Sequence, residues 1–195
     1  MKVVAVNGSA RRDGNTAVLL RRVLEPLEDA GHDVELIQLV GKQIRGCTAC
    51  YKCEATKDRR CSGLNDDGNG VIDALTDADA ILLGSPVYFG DVAAEMKAII
   101  DRAGMVGRQN GNIWARKPGA AVVAVRRAGA MHAFDTINHF FLIGEMLVVG
   151  SSYWNVGIGR NKGEVEADEE GLKTMRRLGE NMAWLLERLS GEAPV

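Results

Sequence analysis

The sequence predicts an α/β protein with one parallel β-sheet covered by helices on both faces. Apolar segments of strand length alternate along the chain with segments whose apolar residues recur at helical spacing. The strand-like segments are continuously apolar, which is typical of strands buried on both faces. The 195 residues suit one domain with one sizeable core, and no linker or repeat divides them.

The start of the chain is predicted to form a strand, a helix and a second strand. Lys2–Asn7 is an apolar run closed by an Asn-Gly-Ser turn, which predicts a buried strand. Thr16–Ala30 has apolar residues at helical spacing and ends before Gly31, although Pro26 is expected to shorten or kink its last turn. Asp33–Leu39 is the second predicted strand.

The middle of the chain continues this alternation. Val71–Thr76 is predicted as a short helix, and Ala80–Gly84 as a third strand that stops at a Ser-Pro step. Val92–Ala103 can place four apolar side chains on one helical face. A polar loop at residues 41–64 follows the second strand and contains every cysteine of the chain.

The last part of the chain supplies two more strands. Ala120–Val125 is an apolar fourth strand, Phe134–Leu147 a helix and Val148–Tyr153 the fifth strand. Glu169–Leu189 is the final helix, with Asp168 as its N-cap. Five parallel strands joined in this way predict a doubly wound, flavodoxin-like sheet with the strand order 2-1-3-4-5.

Composition excludes several classes of partner. The formal net charge is −2 and no basic tract is visible, so we expect neither nucleic acid nor an anionic membrane as a partner. No apolar run is long enough to span a bilayer, and the first residues enter a strand without the pattern of a signal peptide. We therefore expect a cytoplasmic protein.

Four cysteines follow the pattern C-x2-C-x2-C-x7-C: Cys47, Cys50, Cys53 and Cys61. In a reducing compartment such clustering favours metal or redox ligands over disulfides. The first three fit the C-x2-C-x2-C core of runs that bind a 4Fe–4S cluster. On spacing alone, a four-cysteine zinc site and a loop of free or redox-paired thiols remain alternatives.

The loop after the first strand has the composition of a phosphate site. It leaves a strand and enters a helix, so its backbone amides and the helix N-terminus can bind an anion. Ser9, Asn15 and Thr16 can donate hydrogen bonds to phosphate oxygens, and Arg11 adds positive charge. The letters exclude a Walker A loop, a dinucleotide fingerprint and a cysteine phosphatase loop. An ordinary polar turn is the alternative.

Two further loops follow the third and fourth predicted strands. Pro86 stiffens the first of them, Gly90 permits close approach of a ligand, and two adjacent aromatic residues between them offer ring faces. Arg126 and Arg127 follow the fourth strand and are expected to form a third, positively charged wall, unless both are simply solvated. Ligands of doubly wound sheets bind at this edge.

These loops resemble those of the NADPH-dependent FMN reductase and flavodoxin-like superfamily. GSARRDGNT is similar to its GSxRxxxNT loop, which binds the FMN phosphate, and the matching positions are Ser9, Arg11, Asn15 and Thr16. GSPVYFG is similar to its isoalloxazine-binding loop. That resemblance assigns five residues to the flavin ring: Pro86, Val87, Tyr88, Phe89 and Gly90. Positive charge from Arg126 and Arg127 near the ring would stabilise its reduced, anionic form.

With the cysteine run included, the chain resembles the iron–sulfur flavoproteins of this superfamily. The resemblance implies one FMN-binding domain over residues 1–195, with a 4Fe–4S cluster held by the four cysteines of the loop at 41–64. It implies an oxidoreductase that passes electrons between the cluster and FMN, with NAD(P)H or ferredoxin as the donor. It also implies a homodimer or homotetramer, and it requires no general acid or base.

Three alternatives remain open. A cluster-free NAD(P)H-dependent FMN or quinone reductase would use the same flavin loops, and its cysteines would be structural or vestigial. A non-enzymatic one-electron carrier would exchange electrons with a protein and turn over no small substrate. A zinc-stabilised binding module would use the phosphate loop for another ligand.

Overall fold

Six strands form one parallel sheet in the computed structural model, which describes residues 1–191. The strands are β1 (Lys2–Asn7), β2 (Asp33–Gln38), β3 (Ala80–Pro86), β4 (Pro118–Val125), β5 (Leu147–Val148) and β6 (Val156–Ile158). The helices are α1 (Asn15–Asp29), α2 (Lys52–Thr56), α3 (Gly68–Asp77), α4 (Ala94–Gln109), α5 (Ala130–Ile143) and α6 (Glu169–Leu189), with a 3-10 turn at Glu164–Ala167. Residues 192–195 of the predicted domain lie outside the described residues.

The strand order is β2-β1-β3-β4-β5, and β6 also pairs with β4. In the centre of the sheet, Val4 of β1 lies between Glu35 of β2 and Ile81 of β3. β4 pairs with β5 near its start and with β6 near its end, so these two short strands share the fifth position. The predicted order 2-1-3-4-5 is therefore confirmed.

The predicted extent of the fifth strand, Val148–Tyr153, is wrong, because the strand is interrupted between β5 and β6. Asn155 explains the interruption. Its Nδ2 donates to Ala121 O at 3.0 Å, and its backbone oxygen accepts from Val123 N at 2.9 Å. One side-chain amide thus occupies the place of a strand residue beside β4, and the intervening segment leaves the sheet.

Side chains of β1 alternate between two apolar layers. Val3 and Ala5 pack in the layer under α1 and α6, whereas Val4 and Val6 pack in the layer under α3, α4 and α5. All four are fully buried. This burial on both faces is the physical reason for the continuously apolar strands in the sequence.

The helices occupy the predicted places, with some different ends. α6 spans the predicted Glu169–Leu189, and Asp168 caps it by accepting a hydrogen bond from Gly171 N at 3.0 Å. α5 starts at Ala130 rather than Phe134, directly after Gly129. The short helix α2, within the cysteine loop, was not predicted. None of the helices within residues 1–191 is long and apolar enough to cross a membrane.

Candidate functional site

The carboxyl ends of four strands converge at one edge of the sheet. The loops that follow β1, β3, β4 and β6 surround a cavity of about 130 Å³. It is lined by Ser9, Arg11, Asn15, Thr16, Pro86, Val87, Tyr88, Ala124, Arg126, Gly159 and Arg160. Eight of the predicted cofactor-binding residues are in this set, whereas Phe89, Gly90 and Arg127 are not.

The first loop is fixed to both neighbouring strands of β1. The buried Asn7 side chain accepts a hydrogen bond from Ser9 N at 3.0 Å and donates to Gln38 Oε1 at 2.7 Å. Gly8 N donates to a β3 carbonyl at 2.8 Å, and a Cβ at Gly8 would lie only 2.9 Å from Met96 Cβ. Glycine is therefore required here by close approach of the chain to α4.

The hydroxyl of Ser9 keeps its own proton available to a ligand. Ser9 Oγ accepts a hydrogen bond from Arg11 N at 3.1 Å, which uses it as an acceptor only. Arg11 Nη1 donates to Arg160 O at 3.1 Å, so the guanidinium is held at the mouth of the cavity. These contacts preorganise one hydroxyl donor and one cation at the same place.

Thr16 is a buried side chain that lacks a partner. It is 1% exposed, and its Oγ1 has no hydrogen-bond partner within residues 1–191. Thr16 lies in the first turn of α1. The N-cap residue of this helix is Gly14, which has no side chain that could accept a hydrogen bond from the first helical amides. The first amides of a helix have no partner within the helix, so this end can accept an anion.

The loop after β3 has a tight turn at its tip. Tyr88 N donates to Asp91 O at 2.8 Å, and Asp91 N donates back to Tyr88 O at 3.1 Å. Phe89 and Gly90 between them both have positive φ angles, +50° and +86°. The Phe89 side chain is fully exposed. The tip therefore projects away from the cavity, which explains why these two predicted residues do not line it.

The loop after β4 packs against the loop after β3. Gly129 has a φ of +87°, and a Cβ there would lie 3.1 Å from both Gly90 Cα and Val87 Cγ1. A second cavity, of about 350 Å³, is lined by Val87, Val125, Arg126, Arg127 and Ala128. Val87 and Arg126 line both cavities, so Arg127 lies in a space that adjoins the first one.

The loop after β6 was not predicted as part of the site. Gly159 and Arg160 line the first cavity. Glu164 Oε2 accepts hydrogen bonds from Asn161 N at 2.7 Å and Arg160 N at 2.5 Å, and these bonds lower the pKa of Glu164. The Gly-Arg-Asn-Lys-Gly sequence at 159–163 indicates a turn. Because the predicted fifth strand ends at Tyr153, the prediction did not place this turn at the carboxyl edge of the sheet.

The first cavity is positively charged. Arg11, Arg126 and Arg160 line it, and no acidic side chain of the described residues does so. A concave surface with one sign of charge concentrates ligands of the opposite sign. The geometry and the charge thus suit an anionic group that is bound by hydroxyls, backbone amides and guanidinium groups.

The cysteine loop follows β2 and has an irregular path. Four of its non-glycine residues have positive φ angles: Ala49, Tyr51, Lys57 and Arg59. Asn110, at the end of α4, accepts from the Arg59 amide at 3.0 Å and donates to Cys53 O at 3.4 Å. Such conformations are costly for residues with a Cβ, so contacts of this kind must hold the loop in place.

The four thiols lie in different environments. Cys53 is buried in the core beside α4, Cys47 and Cys61 are half-buried, and Cys50 is exposed. Burial raises the pKa of the Cys53 thiol, and the nearby Cys61 and Cys47 thiols raise it further. Hydrogen bonds from the Lys52 amide and the Thr48 hydroxyl lower the pKa of Cys50.

Two of the four thiols have fixed neighbours in the loop. A Cβ at Gly63 would collide with Cys50 Sγ, so Cys50 lies against the segment that follows Cys61. Cys61 is itself fixed, because its amide donates to Asn69 Oδ1 at 2.8 Å. Within residues 1–191, no three His, Cys, Asp or Glu side chains are close enough together to hold a metal ion.

Known proteins establish the family of this chain. Residues 1–161 match the family of NADPH-dependent FMN reductases. The chain belongs to this family. An iron–sulfur flavoprotein of Methanocaldococcus jannaschii is 36% identical to it over 192 residues, which cover 94% of this chain and 96% of the relative. An iron–sulfur flavoprotein of Archaeoglobus fulgidus is 29% identical over 197 residues, which cover 97% and 99%.

Solved structures share the fold of this FMN reductase family member. The Trp repressor binding protein of Bacillus subtilis superposes with a TM-score of 0.66 at 19% identity, covering 90% of this chain and 98% of that chain. The predicted family and the predicted flavodoxin-like fold are both confirmed. The resemblance was detectable because GSARRDGNT and GSPVYFG, which resemble the flavin-binding loops of the family, are short, contiguous motifs in the sequence.

Proposed function

We propose that this chain is an FMN-dependent redox protein that binds the FMN phosphate in the first cavity. One observation carries the proposal: the buried Thr16 hydroxyl, at the start of α1, has no hydrogen-bond partner among the described residues. A buried donor without a partner is costly, so we expect it to serve a ligand. The uncapped helix start and the three arginines around it favour a phosphate over a neutral group.

Four residues would hold the phosphate: Ser9, Arg11, Asn15 and Thr16. Ser9 and Thr16 would donate from their hydroxyls, which are otherwise unused as donors. Asn15 Oδ1 accepts from Val165 N at 3.4 Å, which leaves its Nδ2 to donate. Arg11 would neutralise charge at the mouth of the cavity.

The flavin ring would lie against the loops after β3 and β4. Pro86, Val87 and Tyr88 would contact it, and Arg126 and Arg127 would favour negative charge on the ring. Phe89 and Gly90 line neither cavity, and the Phe89 side chain is exposed, so only their backbone groups are proposed to contact the ring. FMN, when bound, supplies hydride and single-electron transfer, and the residues of the chain bind and orient it.

We also propose that the four cysteines hold a 4Fe–4S cluster: Cys47, Cys50, Cys53 and Cys61. Their spacing, the effect of the Cys61 and Cys47 thiols on the pKa of Cys53, and the position of Cys50 against Gly63 support this. The relatives named iron–sulfur flavoproteins support it as well. A cluster, when bound, supplies single-electron transfer.

Protein purified without oxygen provides the test of both parts. We expect FMN and about four irons per chain, with equal sulfide and a broad absorbance near 400 nm. Cys53→Ser should lose the iron and keep the FMN, because Cys53 lies outside the phosphate cavity. Protein that binds no FMN would refute the first part, and protein with FMN but no iron would refute the second.

A second candidate function is a cluster-free NAD(P)H-dependent FMN or quinone reductase. The observation that favours it is the lack of three converging metal-binding side chains within residues 1–191. Metal-free protein loaded with FMN would then oxidise NAD(P)H quickly, and replacing all four cysteines by serine would not slow it. Reduction by ferredoxin without turnover of a small substrate would instead indicate an electron carrier.

A homodimer or homotetramer is part of the same proposal. Large apolar side chains are exposed on the single chain: Phe89, Leu142, Ile143, Tyr153, Trp154 and Trp184. Exposed apolar groups of this size favour a protein interface. Size-exclusion chromatography with light scattering would give the mass, and a monomer at micromolar concentration would contradict this part.

A further inference from the structure

A buried arginine lies beneath the cysteine loop. The Arg102 side chain, on α4, is 0% exposed. Its Nη1 donates to Asp66 Oδ1 at 2.6 Å and to Arg45 O at 3.4 Å. Gly68 packs directly on the guanidinium, because a Cβ there would collide with Nη1. A buried charge of this kind is retained only where its partners are well placed.

Both carboxylate oxygens of Asp66 accept hydrogen bonds. Besides Arg102, it accepts a hydrogen bond from Arg45 N and another from Gly68 N, both at 3.0 Å. Burial alone would raise the pKa of Asp66, but these three hydrogen bonds hold it below its usual range. The carboxylate is therefore ionised and forms a fixed pair with Arg102.

The pair joins the two ends of the cysteine loop. Arg45 lies two residues before Cys47, and Asp66 lies five residues after Cys61. Arg102 contacts both ends at once, and Asp66 adds a direct bond between them through Arg45 N. The buried ion pair thus helps to close the base of the segment that carries all four thiols, together with two hydrogen bonds between Gln43 and Asp67.

The Arg102 guanidinium also has N–H groups without an acceptor among the described residues. Neither Nε nor Nη2 of Arg102 has a hydrogen-bond partner within the described residues. Unpaired buried donors are rare in proteins and call for an explanation such as a missing ligand. Thiolates that converge on a metal centre bring negative charge, which a buried cation with unused N–H groups favours.

We propose that Arg102 is a positioning residue for the cysteine loop, which it holds closed through Asp66 and Arg45 O so that the thiols can converge on one metal centre. The inference rests on the proposed metal-binding role of the cysteines and goes beyond it, because Arg102 is not a ligand. The anchor lies on α4, a continuous helix in the core, and not on the loop itself. Residues that orient metal ligands without binding the metal commonly change the metal affinity about 10- to 100-fold when they are replaced.

Cobalt binding measures this role without relying on activity. The full-length chain, metal-free and loaded with FMN, is titrated with Co²⁺ under anaerobic reducing conditions, and thiolate-to-cobalt absorbance gives the Kd. Because loss of one partner strands a buried charge, the test variant is Arg102→Met with Asp66→Asn, which removes both charges. We expect its Co²⁺ Kd to rise about 10- to 100-fold.

Two single variants serve as controls. One tests whether positive charge at position 102 is sufficient, and the other tests whether loss of any arginine from α4 weakens Co²⁺ binding. Arg102→Lys keeps the positive charge but has no planar group that can bind two acceptors at once. Its Co²⁺ Kd should therefore lie between those of the wild type and the double variant. Arg108→Met removes an exposed arginine of the same helix and should leave the Kd unchanged. FMN affinity should stay near the wild-type value in all of them, since the phosphate cavity contains none of these residues.

The outcomes are distinct. A wild-type Co²⁺ Kd in the double variant would overturn the inference, as would an equal loss of FMN and Co²⁺ affinity, which indicates general loss of structure. If the double variant fails to fold, Arg102→Lys decides, and a wild-type Co²⁺ Kd in it overturns the inference. Wild-type protein that shows the expected Co²⁺ pattern but takes up no iron and sulfide would refute the proposed cluster and support the role of Arg102.

Discussion

Replacing Thr16 with valine should change FMN affinity and apo-protein stability in opposite directions. Valine has nearly the shape of threonine, with a methyl group in place of the hydroxyl. Thr16 is 1% exposed, and its Oγ1 has no partner among the described residues. In the absence of FMN, the hydroxyl therefore contributes a desolvation cost to folding and no compensating hydrogen bond.

The size of both changes follows from this geometry. An unpaired buried polar group costs about 1–3 kcal/mol, so Thr16→Val should raise the free energy of unfolding of the apo-protein by about 1 kcal/mol. A hydrogen bond to a charged group contributes about 1.5–3 kcal/mol. Its loss should raise the Kd for FMN about 10- to 150-fold, at 1.4 kcal/mol for each factor of ten.

Thr76→Val is the matched control, because the Thr76 hydroxyl has a partner. It donates to Ile72 O at 2.8 Å within α3, far from the cavity. This variant should lose about 1 kcal/mol of stability and keep its FMN affinity. Urea unfolding of the apo-proteins and fluorescence titration with FMN measure both quantities. If Thr16→Val is destabilised as much as the control, or binds FMN as the wild type does, the reasoning about the Thr16 hydroxyl is wrong.

Three further predictions concern other residues. Ser9→Ala should raise the FMN Kd about tenfold in the same titration, because one donor to the phosphate is lost. Lys117 Nζ donates to three carbonyl oxygens at the end of α3, two of them at 2.6 Å, so Lys117→Met should lower the free energy of unfolding in urea by about 2 kcal/mol. The pKa of Asp66 lies below its usual range, because hydrogen bonds outweigh the opposing effect of burial. Its contribution to stability is complete above about pH 4 and is lost as the pH falls through the lowered folded-state pKa, so Asp66→Asn should flatten the acid side of a thermal unfolding profile.

The position of the candidate site was predictable from strand order alone. In a parallel sheet the carboxyl ends of all strands lie at one edge, so loops far apart in sequence must meet there. Ser9, Val87 and Arg126 follow three different strands and line one cavity for this reason. The apolar runs that predict the strands therefore also predict which loops face one another.

The fourth wall of the cavity was not predictable, because it depends on one side chain. Asn155 replaces a strand residue by bonding to Ala121 O, and only then does the chain re-enter the sheet as β6. The spacing of apolar residues in the sequence does not indicate that a side-chain amide takes the place of a strand residue. Gly159 and Arg160 consequently reach the cavity from a turn that the sequence leaves unassigned.

The path of the cysteine loop was unpredictable for a different reason. Ala49 and Tyr51 adopt positive φ angles on either side of Cys50. Local preference disfavours that conformation for residues with a Cβ, so only contacts with the rest of the fold can maintain it. Asn110 contacts the loop at Arg59 and Cys53, and the Asp66–Arg102 pair contacts it at Arg45, so these contacts come from residues distant in sequence. The cysteine spacing predicts thiol ligands, but it does not predict the backbone path of the loop that carries them.

α4 physically connects the two halves of the candidate site. Its start is tied to the end of β3, because Ala93 N donates to the buried Ser85 Oγ at 2.9 Å, directly after the loop proposed to hold the flavin ring. Arg102 lies eight residues after Ala94, or about 12 Å along the helix axis, beneath the cysteine loop. A helix with this much buried surface does not bend easily. One rigid element therefore sets the spacing between the cysteine loop and the loop proposed to hold the flavin ring, as the proposed electron transfer between two centres would require.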